Sequence, residues 1–100
     1  NIDNGACVEV PVVATTRGIH TVQQITLPDH LSIMVNNSAK IEELAVKAAI
    51  EGDAEKVFQA ILFDPLTSAV LSMQEIKDMV QEMLYKNKEY LQHFKTLELK

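Results

Sequence analysis

Apolar and polar positions follow two periods along the chain. Over residues 7–14, Cys-Val-Glu-Val-Pro-Val-Val-Ala, β-branched side chains alternate in part with others, as in a strand. Pro11 has no amide hydrogen to give to a ladder, so that strand belongs at an edge or a bulge, with Glu9 facing outward. Residues 15–18 carry turn chemistry. Residues 19–27, with Val22, Ile25 and Leu27 among polar neighbours, read as a second short extended segment.

After Pro28 the period becomes helical. Asp29 stands where it can cap the free amides of a first turn, and Leu31, Met34, Ser38, Ile41, Ala45 and Ala48 follow at spacings of three and four, with Leu44 and Ala49 beside them. This predicts one long helix to about Glu51. Gly52 is the expected left-handed stop, and Asp53 the cap of a second helix that buries Val57, Ala60 and Ile61. Asp64-Pro65 ends that helix, because a residue before proline is pushed out of the helical region. Residues 66–71 form a short apolar turn or helix.

Ser72 and Glu75 have the spacing of a capping box and start a third main helix. Its apolar stripe runs through Ile76, Met79, Val80, Met83, Leu84, Tyr90, Leu91 and Phe94, while Lys77, Asp78, Gln81, Glu82, Lys86 and Lys88 face water. The tail, residues 96–100, is expected to fray. The pattern as a whole predicts an α+β, mostly helical fold: a small N-terminal strand region followed by three main helices, without repeats or a dividing linker.

Length and composition then narrow the function. One hundred residues make a single domain by size, and 47% hydrophobic with 23% charged residues is a globular composition. The formal net charge of -5 and a pI near 5.0 count against nucleic acid, whose binding rests on clustered Lys and Arg. The single cysteine, Cys7, forms no internal disulfide, and there is neither a signal peptide nor an apolar run of membrane-spanning length. A cytoplasmic protein without a membrane partner is expected. The chain opens on Asn1 rather than methionine and reads from its start like the interior of a longer protein.

Candidate chemistry is sparse. Cys7, His20, His30 and His93 are the soft or nitrogen ligands, and no two of them share ligand spacing on one helix or turn, so no metal site is predicted from them. Cys7 reads instead as a small apolar strand residue, and His93 as a residue of a helix's last turn, well placed for its dipole. Glu42 and Glu43, and Glu51 with Asp53 and Glu55, group carboxylates on solvent faces, where nothing splits their pKa values for acid–base work. Phosphate loops and nucleophile elbows are missing. Met79 and Met83 fit the core stripe better than an adaptable binding groove.

Three segments carry a resemblance: Ala6-Cys-Val-Glu-Val-Pro11; Ile41-Glu-Glu-Leu-Ala-Val-Lys-Ala-Ala-Ile-Glu-Gly-Asp53; and Phe63-Asp-Pro-Leu-Thr-Ser-Ala-Val70. In order and spacing the chain resembles, over nearly its whole length, the C-terminal part of the family 4 glycoside hydrolases. These are NAD- and manganese-dependent α-galactosidases, α-glucosidases, α-galacturonidases and 6-phospho-glycosidases. The family shows a V-E-V-P strand, a V-Q-x-L-x-V-x-A-A-x-x-G-D helix and an L-D-P-L-T-x-A-V stretch at the matching places.

The resemblance implies that residues 1–100 are a C-terminal piece of the substrate and oligomerisation domain of a larger enzyme, a domain like that of lactate and malate dehydrogenases. It also implies the chemistry. Hydride passes from the sugar C3 to NAD, a base takes the acidified C2 proton, the aglycone leaves by elimination, and water addition with hydride return completes hydrolysis. The metal holds the C2 and C3 oxygens and stabilises the enolate-like charge.

The family's dinucleotide loop, metal-binding cysteine and histidine, and tyrosine base belong to upstream sequence. This segment is therefore expected to contain no catalytic, cofactor-binding or metal residue and to be inactive alone. Where the family has N-L-P-D-D before the strand, this chain has Asn1-Ile-Asp-Asn-Gly5, and Asn1 is the one residue that lines up, as a candidate neighbour of the sugar site. Expected partners are the rest of the enzyme chain, further copies in a homo-oligomer, and a carbohydrate. The rival is a free-standing helical module without catalysis that dimerises through the stripe of residues 76–94. Caps and corner, at Asp29, Gly52, Asp53, Asp64, Pro65, Ser72 and Glu75, are structural in either case.

Overall fold

The computed structural model describes residues 1–22 and 25–100. Its fold is α+β and mostly helical, and the chain divides into two compact units, Asn1–Ala39 and Lys40–Lys100. Strand β1 (Val12–Thr15) pairs antiparallel with β2 (Gly18–Thr21), Val12 opposite Thr21 and Thr15 opposite Gly18. Helix α1 covers Asp29–Glu51, α2 Ala54–Leu62, α3 Pro65–Val70 and α4 Met73–Lys86, followed by a short 3-10 turn over Lys88–Tyr90.

The first unit differs from the sequence pattern in its strands. The first strand begins at Val12, not at residue 7, and the second covers only Gly18–Thr21 of the extended segment expected over residues 19–27. Positions 23 and 24 of that segment lie outside the described residues. Pro11 is the reason for the late start: it has no amide hydrogen to offer, and its carbonyl accepts from the Val22 amide at 3.0 Å, closing the ladder there. Cys7 therefore lies outside any strand, exposed, rather than packed as an apolar strand residue. Both strands are solvent-exposed along their whole length. The turn is held locally by the Thr15 hydroxyl, which accepts from the Arg17 amide at 3.1 Å.

Helix α1 has the expected bounds but not the expected buried stripe. Asp29 is its first residue rather than the residue ahead of it, and the Leu31 and Ser32 amides go to the Pro28 carbonyl. Leu31, Met34, Ser38 and Ala45 are exposed, Ile41 and Leu44 half-buried, and Ala48 alone of the helix is buried.

The core lies in the second unit. Ile76 and Val80 are each 1% exposed and gather with Ala54 and Leu84, and Val57, Phe58, Ile61 and Met79 pack around them. Against expectation, Met83 is 51% exposed and stands outside that core. Helix α4 stops at Lys86, well before the end of its apolar stripe, because Asn87 caps it: its amide and its side-chain nitrogen both donate to the Met83 carbonyl, at 3.1 and 2.8 Å. Leu91 and Phe94 still reach the core, but as residues of a returning segment, and Tyr90 is exposed.

The tail expected to fray is docked. Leu97 and Leu99 pack on the core, and Gln81, expected to face water, holds the chain between them. Among the described residues no helix is long and apolar enough to cross a membrane.

Candidate functional site

Asn1, which the family resemblance makes a candidate neighbour of a sugar site, has its carboxamide already engaged. Its Nδ2 donates to the Leu27 carbonyl at 2.8 Å and its Oδ1 accepts from the Leu27 amide at 2.9 Å, so the side chain pairs with one residue's backbone as a neighbouring strand would. Asn36, on α1, secures the same segment: its Oδ1 accepts from the Asp3 amide at 2.8 Å and its Nδ2 donates to the Asn1 carbonyl at 3.3 Å. The two carboxamides tie residues 1–3 to Leu27 and to the first half of α1. A ligand at Asn1 would have to displace these bonds or use what lies beside them.

Asn36 was not singled out from the sequence. A signal exists, since adjacent asparagines inside a helix are poor helix formers and ask for another use. Gln81 was missed without such a signal, because glutamine on a polar helix face is ordinary.

Apart from Asp29, which belongs to the first unit, the caps and corner lie in the second unit and do structural work. Gly52 takes φ +64 and Asp53 follows as the cap of α2, its Oδ1 accepting from the Lys56 amide at 3.2 Å. Asp64 caps α3 with Pro65 in its first turn, and its Oδ2 accepts from the Thr67 amide at 2.8 Å and the Thr67 hydroxyl at 2.7 Å. Ser72 and Glu75 form a capping box on α4, the Ser72 amide donating to Glu75 at 2.8 Å and the Glu75 amide to Ser72 at 3.4 Å.

Each cap is biased toward the ionised carboxylate. The Lys56 amide holds Asp53 below its ordinary pKa, the Thr67 hydroxyl and then its amide lower Asp64, and the Ser72 hydroxyl and then its amide lower Glu75. An acid catalyst needs the opposite shift.

Other carboxylates of the second unit are paired. Glu43 bridges Lys47 at 2.7 Å and Lys40 at 3.2 Å, and these two lysines lower its pKa. Lys56 pairs with Glu51 and, at 3.4 Å, with Asp53, which raises its pKa. Glu55 accepts the Lys100 amide.

His20 lies on β2 and His30 in the first turn of α1, both exposed. His93 is not in a helix's last turn, since α4 has ended; its Nε2 instead lies 2.8 Å from the Ala49 carbonyl near the C-terminus of α1. Among the described residues no three His, Cys, Asp or Glu side chains gather as a metal-ligand set.

Comparison with known proteins settles the kinship. The family model described as "Family 4 glycosyl hydrolase C-terminal domain" matches residues 1–67. The chain belongs to that family. It is similar to an α-galactosidase of Rhizobium meliloti (strain 1021), 32% identical over 94 residues that make up 94% of this chain and 19% of that protein. An α-galactosidase of Bacillus subtilis (strain 168) is 30% identical over 95% of this chain and 22% of its own length. A maltose-6'-phosphate glucosidase of Fusobacterium mortiferum is 31% identical over 90% of this chain and 20% of its own length. The chain thus spans about a fifth of the length of these relatives. No solved structure matches it.

As a family 4 segment, the chain carries neither a glycine-rich dinucleotide loop nor clustered metal ligands among its described residues. Its polar side chains position backbone at Asn1, at the Gly52 corner and along the tail.

Proposed function

We propose that this chain is the C-terminal segment of a glycosidase that hydrolyses O-glycosidic bonds by oxidation, elimination and addition, with NAD and manganese held by upstream parts of the protein. Within it, residues 1–100 buttress a dehydrogenase-like substrate domain and contribute to the contact between subunits. The observation that carries the reading is the family match over residues 1–67, joined to identities of 30–32% along nearly the whole chain with proteins about five times longer. Apolar surface supports it: Ile33, Met34, Val46 and Ile50 of α1 and Ile19 of the hairpin are all more than half exposed, as expected of faces that a larger protein covers. The names of relatives, α-galactosidase, maltose-6'-phosphate glucosidase and α-galacturonidase, support α-glycosides, phosphorylated or not, as the substrate class. Asn1 serves near the sugar by fixing the backbone around it. The exposed, unpaired thiol of Cys7 suits a reducing cytoplasm.

Turnover of nitrophenyl α-glycosides in the presence of NAD, Mn2+ and a thiol reductant tests this. A polypeptide of the relatives' length that carries this chain is expected to turn over, and the 100 residues alone are not. Turnover by the 100 residues alone would sink the segment reading, and full activity of the longer protein stripped of NAD would sink the redox route. The rival module, dimerising through residues 76–94, gains no support from the fold, since Ile76, Val80 and Leu84 are spent inside this chain's own core.

A further inference from the structure

The second unit holds its tail with more bonds than a loose end needs. Gln81 on α4 donates to the Leu97 carbonyl at 2.6 Å and accepts from the Leu99 amide at 2.8 Å, reading the backbone two residues apart as an adjacent strand would. The Lys77 ammonium reaches the Lys100 carbonyl at 2.7 Å, and Glu55 on α2 accepts the Lys100 amide at 2.5 Å. One step earlier, the Lys95 amide donates to the Gly52 carbonyl at 3.3 Å and His93 bonds the Ala49 carbonyl at 2.8 Å. A Cβ at Gly52 would stand 2.6 Å from the His93 carbonyl oxygen, so residues 93 and 94 lie directly against the corner.

Packing between helices links α2 with α3 and α4, and α3 with α4. Residues 93–95 bond the end of α1 and the corner, beside the Lys56–Glu51 pair that reaches it from α2. We propose that residues 93–100 form a strap that fixes the direction in which the last turns of α1 leave the α2–α4 core, with Gly52 as the hinge it clamps and Gln81 and His93 as its positioning residues. Fastened, the strap covers one side of the core with Leu97 and Leu99 and pins the corner; released, it leaves Gly52 free to swing.

The test uses the 100-residue chain with Cys7→Ser and spin labels at Lys47→Cys on α1 and Glu82→Cys on α4, diluted into unlabelled chain so that only distances within one molecule are read. The parent is expected to give one narrow distance distribution and slow exchange of the Leu99 and Lys95 amides. Gln81→Leu with His93→Ala is expected to speed Leu99 exchange by about tenfold, the loss of a pair of modest bonds, and to widen the distribution while helix content stays. Should that double variant fail to fold, Gln81→Glu, which keeps the acceptor for Leu99 and loses the donor for Leu97, is expected to show the same trend at smaller size. Leu99 exchanging in the parent as fast as in an unstructured peptide, or a distribution that keeps its width once the tail exchanges freely, would overturn the proposal.

Discussion

At Gly52 two separate demands meet. Its φ of +64 lies where any side chain strains the backbone, and the His93 carbonyl fills the space a Cβ would occupy. Gly52→Ala is therefore expected to destabilise the second unit by at least about 1–2 kcal/mol, read as a lower urea midpoint. The helix stop was legible in the sequence. The crowding was not, because it arises from residues far along the chain.

The caps predict a pH dependence at the same scale. Asp53, Asp64 and Glu75 are more acidic folded than their ordinary values of 3.8, 3.8 and 4.5, so the folded state binds their protons more weakly than the unfolded state. Their contribution is complete above the unfolded values and is lost as pH falls through the folded ones. Urea midpoints followed by circular dichroism should be level near neutral pH and decline below about 4.5. Asp64→Asn should shallow that decline without abolishing it, since two caps still titrate. Ser72→Ala, which removes the oxygen facing the Glu75 amide, is expected to cost about 1 kcal/mol at neutral pH.

Among the elements, α4 shows where periodicity informs and where it fails. Its start, at a serine with a glutamate three positions on, and its buried face at Ile76, Val80 and Leu84 follow from sequence spacing. Its end does not, since Tyr90, Leu91 and Phe94 keep the period after the helix has stopped at Asn87. Apolar spacing records which residues seek the core, not the path by which they reach it. Met83 is the converse case, apolar and in register but turned half outward. Ile76→Ala, at 1% exposure, is expected to cost about 2–5 kcal/mol and to unfold much of the second unit at room temperature. Met83→Glu should leave the unfolding free energy, read by urea titration, within about 0.5 kcal/mol of the parent. If Met83 lies in a contact between copies, the same variant lowers the sedimenting mass; unchanged mass leaves this residue outside any such contact.

On the scale of the molecule, exposed apolar surface is the dominant property. The hairpin β1–β2 shows Val12, Val13 and Ile19 to solvent, and a two-stranded ribbon alone is marginally stable in water. Isolated, the 100 residues are expected to bind an apolar fluorescent dye and to sediment heavier as concentration rises; the dye binding should vanish in a polypeptide of the relatives' length.

The sequence by itself determined the mostly helical α+β class, the places where α1, α2 and α4 begin, the glycine stop at position 52 and the family, because these depend on residues close together along the chain. Tertiary structure alone decided the docking of the tail by Gln81 and the engagement of Asn1 with Leu27 and Asn36. Those outcomes depend on which distant backbone groups find a partner. A carboxamide side chain carries no mark in the sequence of the strand whose place it takes.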